Sequence, residues 1–303
     1  MRILVTDGMD KTAMELLRSE GHEVVEQFYA PEELGKALRE FDACVVRSKT
    51  KVRAAQIDEA KGSSLKLIIR GGVGVDNIDV DYAKEAGIQV MNTPRASSES
   101  VAELAMAHMF SCARYISVAG HTMREGKWEK KAYSKGIELS GKALGIIGFG
   151  RIGQKLGSMA KGIGMDVIAY DIFHVPGIEE KMGMKYVEMD ELLAKSDFIS
   201  LHTPAINGVK LISAENIAKM KDGVVFVNTS RGNNVDEAAL LDALNSGKVR
   251  AAGLDVYADE PASNVALFSH PAVSCTPHIG AGTQEAQKRI GMEIVDIIRN
   301  FAK

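Results

Sequence analysis

Charge of one sign is what this sequence has least of. Lysine and arginine number 37 against 40 aspartates and glutamates, a net −3 over 303 residues. No field is available to draw in nucleic acid or a membrane surface, and neither is expected as a partner. Long apolar runs are missing as well, since none approaches the roughly 20 residues that cross a bilayer. The opening Met1-Arg2-Ile3-Leu4-Val5-Thr6-Asp7 reaches an acid within a strand's length, which is not the pattern of a secretory leader. The three cysteines, Cys44, Cys112 and Cys275, are odd in number, scattered and without a Cys-x-x-Cys pair. A disulfide framework is excluded, and the thiols read as small buried residues in a reducing cytoplasm. Low-complexity tracts and short repeats are absent, and nothing in the pattern asks for a metal.

What remains is an ordinary globular composition, 46% apolar and 25% charged, long enough for about two domains. Strand and helix alternate over the first ninety or so residues. Ile3 to Thr6, Val24-Val25, Ala43 to Val46, Leu67 to Ile69 and Ile88 to Met91 are strand-like. Asp10 is placed to cap a helix with Ala13, Leu16 and Leu17 on one face, and Pro31 suits the first turn of another, with Leu34 and Leu38 inward. Such alternation predicts a parallel, doubly wound sheet. Ser97 to Glu125 reads as one long helix, on which His108 and His121 are structural or solvated. Further strands are expected at Asp166 to Tyr170, Lys185 to Val187, Phe198 to Leu201, Val224 to Asn228, Ala251 to Val256 and Val273 to Cys275, a sheet of about six. Asp236 caps a helix that Gly247 ends, and a last helix near Thr283 to Ala302 folds back on the first domain.

The centre of the chain carries Leu144-Gly145-Ile146-Ile147-Gly148-Phe149-Gly150-Arg151-Ile152-Gly153. An apolar strand stops at a glycine and a helical pattern follows, with Gly148, Gly150 and Gly153 in the spacing G-x-G-x-x-G. Gly148 serves a turn too tight for a side chain, Gly150 lets a ligand approach the backbone, and Gly153 lets helix and strand pack closely. The amides that open the helix then face a pyrophosphate. A second strand ends in Asp171, 18 residues past Gly153, a spacing suited to accepting from the adenosine ribose hydroxyls. That carboxylate repels a 2′-phosphate, so NAD is expected rather than NADP.

Three polar segments follow apolar strands downstream: Asn228-Thr229-Ser230-Arg231-Gly232, Asp255-Val256-Tyr257-Ala258-Asp259-Glu260-Pro261 and Thr276-Pro277-His278-Ile279-Gly280. Hydride exchange at an oxygen-bearing carbon needs a cation for the substrate carboxylate and a group of near-neutral pKa for the hydroxyl proton. Arginine and a carboxylate-backed histidine supply these.

On these segments, and on Gly126-Lys127-Trp128 and Glu138-Leu139-Ser140-Gly141-Lys142 before the glycine motif, the chain resembles the D-isomer-specific 2-hydroxyacid dehydrogenase family over essentially its whole length. The resemblance implies an α/β protein of two doubly wound parallel-sheet domains. A central Rossmann-type NAD domain, residues 98–283, is inserted into a flavodoxin-like substrate domain, residues 1–97 and 284–303. It implies that Arg231 binds the substrate carboxylate and polarises the carbonyl, that Glu260 orients and charges the imidazole, and that His278 exchanges the proton. Gly148, Gly150, Arg151, Ile152, Gly153, Asp171, His202, Thr203, Pro204, Thr229, Ser230, Arg231, Asp255, His278, Gly280 and Ala281 are expected against NAD, with Asp255 near the carboxamide. Hinges are expected near residues 95–100 and 283–287. So is a homodimer, with the 97–125 helix and Trp128 as contacts.

Within the family, Val46 to Val52 and Leu67 to Asp79 resemble the substrate loops of phosphoglycerate-oxidising members. Arg47, Ser48, Gly71, Gly72 and Val73, with Arg231 and His278, are therefore expected on substrate, and Arg47, Lys49 and Arg70 offer charge to a phosphate. Oxidation of 3-phospho-D-glycerate, the entry to serine, is the expected reaction. Reduction of glyoxylate, hydroxypyruvate or D-lactate's oxo acid is the alternative, and an NAD(H)-sensing corepressor a more distant one. Val73 stands where many members have threonine. The chain stops soon after its closing helix, so no regulatory domain and no serine feedback are expected.

Overall fold

Residues 1–206 and 208–302 are described by the computed structural model, and the chain divides into two units. One is formed by residues 1–98 and 281–302, the other by residues 99–280.

The first unit holds five parallel strands: β1 (Arg2–Val5), β2 (Glu23–Glu26), β3 (Ala43–Val46), β4 (Leu67–Arg70) and β5 (Gln89–Asn92). Their order, β2-β1-β3-β4-β5, is the flavodoxin-like arrangement. β3 lies at the centre and is buried at every position, as its unbroken Ala-Cys-Val-Val predicts. Asp10 caps the helix Lys11–Ser19 by accepting from the Ala13 amide, and Pro31 opens the helix Pro31–Leu38. The helix Gln284–Phe301 is capped by Thr283 and returns to this unit, as the sequence predicts. It packs on Lys11–Ser19, closely enough that a Cβ at Gly291 would stand 2.8 Å from that of Ala13. Ile290, Ile294, Val295 and Ile298 enter one core with Ile3, Val5, Leu17 and Ile69. At about 1.5–3 kcal/mol for each buried side chain, this helix is a structural part of the first sheet's cover.

The second unit holds seven parallel strands: β6 (Ala143–Ile147), β7 (Asp166–Tyr170), β8 (Lys185–Tyr186), β9 (Phe198–Leu201), β10 (Val224–Asn228), β11 (Val249–Leu254) and β12 (Val273–Cys275). The order is β12-β11-β10-β9-β6-β7-β8. Counted from β6, this is the 3-2-1-4-5-6 sheet of dinucleotide-binding folds with β12 added beyond β11. The order reverses between β6 and β9, so the crevice for a ligand opens above their carboxyl ends.

Two expectations need correction. The long helix is broken: Ser98–Arg114 and Ile116–Arg124 are separate, with Tyr115 left-handed between them at φ 58°. Past Arg114 the second helix has no buried residue, so no core holds the chain to its course. The Tyr115 hydroxyl instead accepts from Arg250 Nη2 at 2.7 Å and donates to the Lys135 carbonyl. These contacts sustain a conformation that costs about 1–2 kcal/mol in a residue with a Cβ. Cys275 is the second correction. Cys44 and Cys112 are buried, but Cys275 is exposed, because β12 is an edge strand covered on one side.

Candidate active site

The glycine loop sits at the switch point of the second sheet. Gly148 has φ 92°, and a Cβ there would stand 2.8 Å from the His202 carbonyl. The loop therefore passes flush against the chain leaving β9, which only glycine allows. At Gly153 a Cβ would meet the Gly148 carbonyl oxygen at 2.4 Å, which fixes the start of the helix Arg151–Gly162 against the strand. Gly150 faces open space instead. One oxygen of Asp171 accepts from the Phe149 amide at 2.6 Å and the other from the Phe173 amide at 3.0 Å. The carboxylate thus pins the glycine loop while keeping acceptor capacity for a ligand.

At the ends of β10, β11 and β12 the three polar segments converge. His278 Nδ1 lies 2.7 Å from Glu260 Oε2, and both side chains are about one-third exposed. His278 adopts φ 52°, left-handed for a residue with a Cβ. Burial pushes the Glu260 carboxyl up, but His278, the Tyr257 amide and the charge of Arg231 together outweigh this and hold it below the usual carboxylate range. Arg231 is thus an electrostatic neighbour of the pair. Its Nη1 donates to the Ser230 carbonyl at 2.6 Å, and its turn is built around buried Asn228. The Asn228 side chain donates to the Arg231 carbonyl and accepts from the Ser230 amide and hydroxyl. Gly232 lets this turn meet the other loop, since a Cβ there would fall 1.9 Å from the Tyr257 carbonyl carbon. Beside the pair opens a cavity of about 320 Å³, walled by Tyr257, Phe268, Cys275 and Pro277.

Asp255, expected near the nicotinamide carboxamide, follows β11 directly with its carboxylate turned into the protein. It is 1% exposed, and its oxygens accept from the Thr276 hydroxyl at 2.7 Å, the Ile279 amide at 2.8 Å and the Gly280 amide at 2.9 Å. A buried carboxylate is stable only when so satisfied, and these bonds hold the loop on which His278 stands.

In the first unit, the loop after β3 is tied to the switch point of its own sheet. Asp7 accepts from the amides of Arg47 and Thr50 and from the Thr50 hydroxyl, while Asn77 donates to the carbonyls of Arg47 and Thr50. Gly71 lies against the Arg47 side chain, so Arg47, Ser48 and Gly71 fall in one neighbourhood. Gly72 and Val73 continue it, with the Thr93 amide on the Gly72 carbonyl and Asn92 Nδ2 on the Val73 carbonyl. Lys49 Nζ sits 4.0 Å over the ring of Phe28, a cation–π contact that holds the ammonium on the loop's own surface.

The model of the D-isomer specific 2-hydroxyacid dehydrogenase NAD binding domain matches residues 106–280, which contain the glycine loop and all three polar segments. The chain belongs to this family. It is 51% identical over 302 residues to the hydroxypyruvate reductase of Thermotoga maritima, covering 98% of this chain and 97% of that one. It is 45% identical over 306 residues to the D-3-phosphoglycerate dehydrogenase of Archaeoglobus fulgidus, of whose length it spans 58%. The D-lactate dehydrogenase of Aquifex aeolicus, solved with NAD and lactic acid, superposes with a TM-score of 0.88 at 29% identity, over 99% of this chain and 95% of that one.

NAD is the cofactor of this family, and the residues present suit it. Open space at Gly150 leaves room for a phosphate over the first amides of the helix that begins at Arg151. At the adjoining ends of β9 and β10, His202 Nδ1 and Thr229 Oγ1 are buried without a partner among the described residues. Burial brings the His202 imidazole down to about 4, so it stays neutral there. Two such atoms in one dinucleotide crevice are what a bound polar ligand satisfies.

Sequence reasoning missed the residues that position this dehydrogenase's site. Asn234 is fully buried, and its amide donates to the Thr203 hydroxyl at 3.0 Å and the Pro204 carbonyl at 2.9 Å, while accepting from the Ile206 amide. Glu237 accepts from the Ala258 amide and Asn264 Nδ2, fixing the Glu260 loop from below. His121 is solvated, paired with Glu125, whereas His108 is buried against Thr276 in the segment that carries His278.

Proposed function

We propose that the protein reduces a short 2-oxo acid to the D-2-hydroxy acid with NADH, hydroxypyruvate being the preferred substrate. The observation that carries the reaction class is the His278–Glu260 pair at 2.7 Å with Arg231 acting on its charge. Bound NADH supplies hydride to the carbonyl carbon. Arg231 binds the substrate carboxylate through its forked donors and draws electron density from the carbonyl. His278, as imidazolium, gives its proton to the carbonyl oxygen, and Glu260 stabilises the charged ring and fixes which nitrogen faces substrate. Asp171 selects NADH, and Asp255 acts through the loop of His278.

Hydroxypyruvate is favoured over 3-phosphohydroxypyruvate by similarity along the whole length of a hydroxypyruvate reductase, and by the engagement of Lys49 with Phe28. Arg47 and Arg70 at the loop edges are what favours the phosphorylated acid, and with it a place at the entry to serine. The protein acts as a cytoplasmic homodimer whose contact includes the exposed Ile116, Met123 and Trp128.

Steady-state kinetics with NADH on glyoxylate, hydroxypyruvate, pyruvate and phosphohydroxypyruvate test this reading. The largest kcat/KM is expected with hydroxypyruvate. A tenfold preference for phosphohydroxypyruvate would transfer the assignment to the phosphorylated acid, and cofactor binding without turnover on any of the four would leave only a nucleotide sensor.

A further inference from the structure

His108 lies in the helix Ser98–Arg114, is 3% exposed, and bonds through its ring to residues to which the reaction assigns no chemical step. Space is made for it: a Cβ at Gly253 on β11 would stand 2.5 Å from the His108 Cβ. Both ring nitrogens are engaged, Nδ1 with Ser274 Oγ at 3.0 Å and Nε2 with Thr276 Oγ1 at 3.0 Å. The direction of every bond in this chain follows from its far end. The Asp255 carboxylate only accepts, so Thr276 spends its single hydroxyl proton on Asp255. Thr276 Oγ1 must then accept from His108, which places the proton of a neutral ring on Nε2. Nδ1 accepts from Ser274. Burial lowers the imidazole's affinity for a second proton, against a smaller opposing effect of Asp255, so the neutral form persists.

We infer that His108 is a positioning residue for His278. Its Nε2–H orients the Thr276 hydroxyl onto Asp255, and Asp255 in turn receives the Ile279 and Gly280 amides that hold the left-handed turn at His278. Without that donor, the Thr276 hydroxyl is free to rotate. Asp255 then loses one of the three donors it uses, and the proton-transfer ring loses its fixed aim. The inference rests on the assignment of His278 as proton donor.

Two measurements on the full chain separate this inference from that assignment. In ¹⁵N-histidine NMR spectra without substrate, His108 is expected as the Nε2–H tautomer from about pH 6 to pH 9. A proton on Nδ1 would overturn the chain of bonds whatever the enzyme's substrate is. In the same spectra, the ring-nitrogen shifts of His278 at fixed pH are expected to move in His108→Leu and to stay in His108→Gln, whose amide supplies donor and acceptor alike.

In turnover, His108→Leu is expected to lower kcat about tenfold with KM for NADH within about twofold, and His108→Gln to recover most of the loss. A Leu variant with wild-type kcat and only a lower Tm would show a packing role alone. Equal loss in Gln and Leu would reject hydrogen bonding as the cause. Wild-type protein that turns over no 2-oxo acid would remove the proposed function, leaving the tautomer and the His278 ring shifts to decide the role of His108.

Discussion

Replacing Glu260 by glutamine removes one charge and little else. The amide oxygen of glutamine still accepts from His278 Nδ1–H, so the ring keeps its orientation and loses only the carboxylate. The native contact is 2.7 Å, with both partners about one-third open to solvent. Hydrogen bonds to charged groups are worth about 1.5–3 kcal/mol, and partial exposure favours the lower end. About 1.4 kcal/mol corresponds to roughly one pH unit. Reduction needs the imidazolium, and the carboxylate stabilises it. In Glu260→Gln that support is gone, and the alkaline fall of kcat/KM for 2-oxo acid reduction moves down by about one unit. Below both limbs the two enzymes should agree within a few-fold. The window for stability is different. A carboxyl held below its ordinary range contributes fully above that range, and the contribution is lost as pH falls through the depressed value. The assay is initial rate against pH from 5 to 10 at saturating NADH. A profile superimposable on wild type, or one displaced upward, would refute the role given to Glu260.

Asp171→Ala removes both the acceptor that anchors the Phe149 and Phe173 amides and the repulsion toward a 2′-phosphate. KM for NADH should rise about tenfold while the preference for NADH over NADPH narrows by a similar factor. An unchanged NADH-to-NADPH ratio of kcat/KM would show that selection lies elsewhere. For the dimer, sedimentation of the wild-type protein at micromolar concentration should give twice the chain mass, and Trp128→Glu should shift it toward the monomer. A wild-type monomer would discard the interface.

Much of this site was readable before folding, and the reason is local. Gly148, Gly150 and Gly153 answer to a turn, an approach and a packing contact within six residues, and Asp171 lies one helix away. Arg231, Glu260 and His278 were legible because each follows an apolar strand, and strand ends are where such sheets gather ligands. What held no signal was the set of polar residues whose partners are distant in sequence. Asp7 fixes residues 47–50, Asn77 fixes the same loop from the other side, and Asn234 fixes residues 203–206. A single buried asparagine resembles a surface one until its partners are known. The break at Tyr115 was hidden for another reason. Apolar residues continue through it, but no core continues beneath them.

The return of Gln284–Phe301 to the first sheet sets an order on synthesis. Residues 99–280 leave the ribosome as one uninterrupted piece, with every strand of their sheet already made. The sheet begun by the first ninety residues must wait until the helix Gln284–Phe301 has emerged as well. Only then do Ile290, Ile294 and Ile298 arrive to cover Ile3, Val5 and Ile69. The earliest strands to be made are thus the last to be sealed, and their apolar face stays open while the central unit forms.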